Sequence, residues 1–293
     1  FVTALYWPPL MGWLSKGVEG AELNRATSLF SFSWSVGGIF SPYIAGVLSE
    51  RNKLFPIILS IILFSLNAIF IVVTRNRARE GRSGAHEAGE VQASEPVVDR
   101  STPLRFPAWL GAFLIYAVMG VVLNVFPVFA RDELFLAESA IGLVLMTRAI
   151  ATAAGFYLLS RLTFWQYKRT ALPVLSAGSA IALAALAIQA GGGGFAIGFA
   201  VIGLLQSAMY NNSLFYGASG ALDKDRRATS HEAVLTLGTV IGSITGGIIY
   251  EAFSMSAVFV GLAILLGVGA LVQAGMSSKP RRLAVRAARR GAS

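Results

Sequence analysis

The chain has no cysteine among its 293 residues. Disulfides, thiolate metal sites and cysteine nucleophiles are therefore excluded, and the redox compartment has no marker. Histidine is almost as scarce: His86 and His231 are the only two and lie far apart in sequence, so neither an imidazole metal site nor a cofactor is expected. Charge is thin, with 13% of residues charged against 55% hydrophobic, and mean hydropathy is +0.65. A soluble domain carries about 25% charged residues, so lipid rather than water is the expected solvent for most of this surface. Acids are outnumbered 15 to 24, which leaves a net charge of +9. Such an excess can mark a nucleic-acid binder, but the placement of the basic residues follows a different rule, and no nucleic-acid partner is expected. No signal peptide is visible, and the chain opens at Phe1 inside an apolar run, so the start of the protein is expected upstream.

What the chain has in quantity is apolar sequence in runs of about 20 residues, the length that crosses a bilayer. These runs fall at residues 1–15 (cut short), 27–49, 54–74, 107–130, 139–161, 171–190, 195–218, 231–251 and 255–275, predicting eight complete helical spans and one partial span. The loops alternate in charge. Twenty of the 24 basic residues fall in every second connection or in the tail, beginning with Lys16 and Arg25 and ending with Arg289 and Arg290, whereas the opposite loops hold only Arg51, Lys53 and Arg131. The positive-inside rule then places the basic side, with the C-terminus, in the cytoplasm. Arg148 alone lies within a span.

One connection is unlike the rest. Residues 76–105 are rich in Arg, Glu, Gly and Ser and poor in large apolar side chains, and read as a flexible cytoplasmic linker. It divides the chain into residues 1–75 and a second bundle over 106–276, followed by a basic tail at 277–293 that could rest on anionic headgroups or simply be solvated.

The two parts share an internal repeat. Arg25-Ala26-Thr27-Ser28 returns as Arg227-Ala228-Thr229-Ser230, and each copy leads into a glycine-rich helix. In the first, Gly37, Ser41 and Ala45 stand four apart, with Pro42 and Gly46 beside them; in the second, Gly238, Gly242 and Gly246 do, with Gly247 adjacent. At 3.6 residues per turn such residues share a face on which another helix can approach backbone to backbone. The echo extends backwards to Tyr6–Leu10 and Tyr210–Leu214. Both copies cross the membrane in the same sense, as parallel repeats in transporters do.

At these residues the chain resembles the major facilitator superfamily, whose twelve-helix members consist of two six-helix halves joined by a long cytoplasmic linker. Gly37, Pro42 and Gly46 match the fifth-helix motif of the superfamily's antiporters (G-x-x-x-G-P-x-x-G-G), with Ser41 and Ala45 replacing two of its glycines; the second copy keeps Gly238, Gly242, Gly246 and Gly247 but has Ser243 at the proline. The resemblance begins partway through helix four, which implies about nine transmembrane helices of an original twelve, with helices one to three outside this chain. Around Ser160–Arg169 the family's loop signature keeps its basic residues but lacks the Asp and the second Gly. The expected fold is thus an all-α membrane bundle of two parallel pseudo-repeats.

Several residues are candidates for the solute pathway. Arg148 lies about midway through its span, where an arginine costs roughly 2.5–3.5 kcal/mol on the insertion scale. No acid falls near the middle of a span, so its partner is expected to be a carboxylate outside this chain, a polar group or an anionic solute. Asn124, three residues before Pro127, marks a bend that either lines a cavity or is structural. Gln206, Tyr210, Asn211 and Asn212 form a polar cluster in one span, read as cavity lining, and Trp34 is a possible aromatic wall. Thr229–Glu232 fits a helix capping box, so Glu232 reads as a cap, with a proton-coupling role for His231 or Glu232 as the alternative.

The reading is a secondary active transporter of the plasma (inner) membrane that moves a small-molecule organic solute by rocking two halves, with the two small-residue faces as joints between them. Membrane lipid and a solute are its expected partners, protons its coupling ion and the monomer its state; efflux is mildly favoured by the fifth-helix motif. An importer, a non-transporting receptor or scaffold, and a membrane-embedded transferase stay open as alternatives, the last disfavoured because only His231 and Glu232 lie close enough to make a catalytic group.

Overall fold

The computed structural model describes residues 10–82 and 99–278. The centre of the expected linker, the basic tail and all but the last residue of the Tyr6–Leu10 echo lie outside them. Every regular element among the described residues is helical. In chain order they are α1 (residues 10–15), α2 (Gly20–Arg51), α3 (Phe55–Arg82), α4 (Arg105–Gly120), a π-helical turn (Val121–Val125), α5 (Phe126–Asp132), α6 (Glu138–Leu159), α7 (Ala171–Leu186), α8 (Gly192–Ala218), α9 (Lys224–Ala252) and α10 (Met255–Ser278). A helix stands at each expected span, with α4, the π turn and α5 forming one continuous rod.

Six spans among the described residues are long and apolar enough to cross a membrane by length and composition: Phe55–Thr74, Arg105–Asp132, Glu138–Leu159, Gly192–Ala218, Lys224–Ala252 and Met255–Ser278. Helix α7 falls short at 16 residues. Helix α2 is long enough, but the face it buries carries Asn24, Thr27, Ser28, Ser31 and Ser35, which lowers its hydropathy. Helix α3 shows the opposite pattern: its Phe55–Thr74 stretch has a mean hydropathy of 2.7 and none of it is buried, a composition that only lipid or further apolar helices can satisfy.

The second bundle is built around α4. Ile115, Val118, Val121, Val122 and Phe126 are fully buried along that rod, and the Phe126 ring meets Phe195 at 5.1 Å and Phe199 at 4.7 Å between centroids. Offset and edge-on aromatic contacts of this kind lock α5 against the start of α8. Pro127 follows the π turn, as expected where a missing N–H and a bulky ring disturb the helical ladder.

The two glycine faces do different work, and this corrects the expectation that both join the halves. A side chain at Gly238, Gly242 or Gly246 would run into Phe113, Ala117 or Val121, so the α9 stripe packs on α4, within the same bundle. In the first copy the stripe faces the other way. Nothing lies near Gly37, and Ser41 and Ala45 are exposed. The face of α2 that packs along α6 uses Pro42 and Gly46: a side chain on Gly142 would strike the backbone of Pro42 and Tyr43, and one on Gly46 that of Glu138. Gly247 likewise faces open space. Of the two glycine-rich helices, then, α2 joins residues 1–75 to the second bundle through its small residues, and it does so on α6; on α1, Gly12 likewise abuts Asp225 of α9.

The linker boundaries also shift. Helix α3 continues to Arg82, seven residues past the expected end of the first bundle, because Arg, Ala and Glu are good helix formers and the weakest residue, Gly81, comes only at its end. At the far end the chain is held before α4 begins. The Arg100 N–H donates to the Gly220 carbonyl at 2.9 Å, and Asp99 lies 3.5 Å from Arg227. Hydrogen bonds from the Ser101 hydroxyl and N–H hold the Asp99 carboxyl below the usual carboxylate range. This clasp is complete above the ordinary pKa of an aspartate and is lost as pH falls through the lowered value.

Candidate functional site

Two adjoining cavities lie where α2 meets α4, α6, α8 and α9. One, of about 210 Å³, is lined by Arg148, Gln206, Thr152, Met119, Leu123 and the α2 residues Trp34, Ser35 and Gly38. The other, of about 280 Å³, is lined by Glu232, Leu235, Thr236 and Tyr210. Trp34, Tyr116 and Thr239 wall both, so the two form one tract with a guanidinium in the first chamber and a carboxylate in the second.

Arg148 reaches this tract from the middle of α6. Its Nη1 donates to Gln206 Oε1 at 2.9 Å and approaches Met119 Sδ at 3.9 Å. Gln206 is held in turn near Thr152, whose hydroxyl donates to the Arg148 carbonyl at 2.9 Å. Nε has no hydrogen-bond partner, and no carboxylate lies within ion-pair distance of Arg148 among the described residues. An arginine has five donors in a fixed fork, so this one presents donors that the described protein does not consume. The Tyr116 hydroxyl interacts with Gln206 and lies in the fields of both Arg148 and Glu232.

Aromatic rings close the tract toward the basic end of the bundle. Tyr210 touches Trp34 and Tyr116 at 6.0 Å, Phe156 at 5.5 Å and His231 at 4.9 Å. Beyond them Met11, Leu214, Ala228 and Leu235 pack into the same cluster. At that end Lys224 Nζ pairs with Glu19 at 2.8 Å and donates to the Ser15 and Val18 carbonyls at 2.7 and 2.9 Å.

The family model for the Major Facilitator Superfamily matches residues 1–231. The chain belongs to the major facilitator superfamily. Among curated proteins none matches it. Membership makes this all-α bundle an integral, multi-pass membrane protein and a transporter in the general sense of the family. The tract described above is a concave space between its helices, walled by aromatic rings and carrying one guanidinium and one carboxylate.

The structure brings Arg148, Gln206, Tyr210 and Trp34 together at the tract and places Asn124 and Asn211 elsewhere. Asn124 sits on the π turn and donates to Ser243 on α9 at 2.9 Å and to the Gly120 carbonyl at 3.1 Å, so its amide ties two helices of one bundle. Asn211 is fully buried. Its amide donates to Asn24 Oδ1 and its carbonyl accepts from the Ser28 hydroxyl, both at 2.9 Å, and Asn24 also donates to the Leu159 carbonyl at 2.8 Å. That network is a polar latch between α2, α8 and the end of α6. Asn212 donates to the Ala208 carbonyl within its own helix.

Glu232, read from the sequence first as a cap, lines the tract instead. The cap of α9 is Asp223, whose carboxylate accepts from the Arg226 N–H at 2.9 Å, so Thr229–Glu232 lies in the helix interior and forms no capping box. Thr229 and Ser230 bond back to the carbonyls of Asp225 and Arg226 instead. The signal was present in the spacing: Glu232, Leu235, Thr236 and Thr239 fall at i, i+3, i+4 and i+7 and line the tract together. His231, one position round, turns to a buried pocket where its Nδ1 meets the Ser213 hydroxyl at 2.8 Å.

The latch gives a first test. Asn211→Ala removes both of its hydrogen bonds and leaves buried polar atoms on Asn24 and Ser28, a cost of about 1–3 kcal/mol. Because the chain has no cysteine, one introduced at the fully buried Thr27 can be labelled with maleimide without background. Labelling is expected to be roughly tenfold faster in the Asn211→Ala background, as that loss of stability implies; an unchanged rate would show that the latch does not hold this end shut.

Proposed function

We propose that this major facilitator transporter carries a small organic solute bearing an anionic group, by alternating access around the tract between α2 and the second bundle. The observation that carries the reading is Arg148: a guanidinium held in place by Gln206, with donors left over and an aromatic wall of Trp34 and Tyr116 beside it. A carboxylate or phosphate would take the remaining fork, and the rings would take an apolar body. The carboxylate of Glu232 in the adjoining chamber supports an amine or hydroxyl at the other end of the solute.

Protons are the proposed coupling ion, with Glu232 as the group that binds them. It faces Tyr116 and Tyr210 across the chamber, and its Oε1 lies 4.0 Å from His231 Nε2. Efflux is the proposed direction, supported by Gly37, Pro42 and Gly46 alone. The positive-inside rule would put the end sealed by Lys224 and Glu19 on the cytoplasmic side, together with the linker and the C-terminus, in a plasma (inner) membrane.

Uptake of labelled benzoate, phenylalanine and phenethylamine into proteoliposomes tests the substrate class. Transport of benzoate or phenylalanine with no transport of phenethylamine is expected, and the reverse order would sink the proposal. Glu232→Gln is expected to abolish accumulation driven by a pH gradient while leaving intact the equilibrium exchange of benzoate, which has no amine for Glu232 to hold. If the variant still accumulates solute on the gradient, protons enter by another group.

A further inference from the structure

Away from the tract, at the basic end of the bundle, a cleft of about 390 Å³ opens between α2 and α6, lined by Arg25, Leu29, Tyr157, Ser160 and Arg161. Arg161 is set in place: its Nη2 donates to the Tyr157 hydroxyl at 2.5 Å, and its guanidinium carbon lies 4.7 Å from the centre of the same ring. Neither arginine has a carboxylate within ion-pair distance among the described residues. The internal repeat sharpens this point. Arg227, which occupies the position of Arg25 in the second copy, pairs with Asp99, whereas Arg25 faces a cleft.

We infer that the cleft binds the headgroup of an anionic phospholipid. Two guanidiniums set across a gap suit a phosphodiester, which accepts paired N–H donors from each. The Ser160 hydroxyl, bonded to the Tyr157 carbonyl at 2.6 Å, borders the same space. Leu29 in its wall is exposed, as are Leu158 and Leu162, the sequence neighbours of Tyr157 and Arg161, so acyl chains have an apolar surface to follow once the headgroup is seated. The chain spans a membrane, so lipid is the anion at hand, and basic pockets between helices at the membrane surface are a recurrent form of lipid recognition. A lipid there bridges α2 and α6, the two helices whose contact joins the first part of the chain to the second.

The test uses the whole chain, purified in an uncharged maltoside and titrated with dihexanoyl phosphatidylglycerol, dihexanoyl phosphatidylcholine or inorganic phosphate while thermal unfolding is followed. Phosphatidylglycerol is expected to raise the midpoint and the other two are not. Arg25→Gln with Arg161→Gln is expected to weaken the response about tenfold or more, the scale set by losing two arginine–headgroup attractions, and Arg25→Lys with Arg161→Lys to restore part of it. Both side chains are exposed, so the variants test binding rather than folding. An equal response to phosphatidylcholine, or an undiminished response in the glutamine variant, would overturn the site. Saturation by inorganic phosphate would reassign it to a free ion and overturn the lipid. Loss of stability in the glutamine variant with no response to phosphatidylglycerol in either protein would assign the cleft to linker acids such as Glu87, Glu90 and Glu95, and would overturn it as well.

Discussion

Gly242→Leu is expected to prevent this protein from reaching a stable fold, while Gly247→Leu, five residues further along the same helix, is expected to be silent. At Gly242 the added side chain would meet the backbone of Ala117 on α4, and at Gly247 it would meet nothing. Overpacking a tight contact costs about 1–3 kcal/mol even when side chains can shift. Here the obstacle is main chain in a buried helix, so the cost is expected at or above the upper end of that range. Size-exclusion profiles and thermal midpoints of the two variants in detergent decide the matter. The Gly247 variant should stay within roughly 0.5 kcal/mol of the parent, as surface changes do. A monodisperse Gly242→Leu protein with the parent's midpoint would show that α4 and α9 are not in backbone contact. The same experiment separates a joint that moves from one that does not: a sliding joint would give a folded protein that cannot cycle, and the position of the stripe inside one bundle predicts failure to fold.

The second large effect is at Arg148. Arg148→Gln should leave the fold intact, since Gln206 can bond a second amide, and should lower transport of an anionic solute by about 10- to 100-fold. That range follows from a hydrogen bond to a charged group, worth about 1.5–3 kcal/mol. Arg148→Lys is expected to recover little. A lysine has one compact charge where Gln206 and the solute together need a planar fork. Counterflow in proteoliposomes, at matched protein levels, reads the loss directly. Normal counterflow in the glutamine variant would reduce Arg148 to a tie between α6 and α8.

The helices were legible because the bilayer imposes a length, and apolar runs of that length survive any choice of packing partner. The family was legible for a related reason: the duplicated Arg-Ala-Thr-Ser blocks and the glycines after them are local, and the family match over residues 1–231 covers both blocks and the first glycine copy. Which face of a helix turns inward is not a local property. The stripe Gly37, Ser41 and Ala45 was visible, but α2 buries Asn24, Ser28, Ser31 and Ser35 against its neighbours, and only the neighbours decide that. Arg148 stood out because a charge inside a span is costly wherever it points. Glu232 did not, because two cap signals compete near the start of α9 and Asp223 prevailed over Thr229, carrying the helix almost two turns further back. Asn211 was seen as polar and read as cavity lining, and its partner on α2 lies 187 residues away in sequence, beyond the reach of any periodicity argument.

The π turn at Val121–Val125 holds one residue more than the surrounding ladder requires. Such a surplus is conserved when the helix rearranges: it can pass along the rod one step at a time, each step breaking one backbone bond and making another. Each step also turns everything it passes by about 100°, the angular share of one residue in a 3.6-residue turn. Met119, just before the π turn, and Leu123, at its centre, now line the chamber beside Arg148. A shift of the surplus by a single register would therefore exchange the side chains facing that chamber without moving the helix axis.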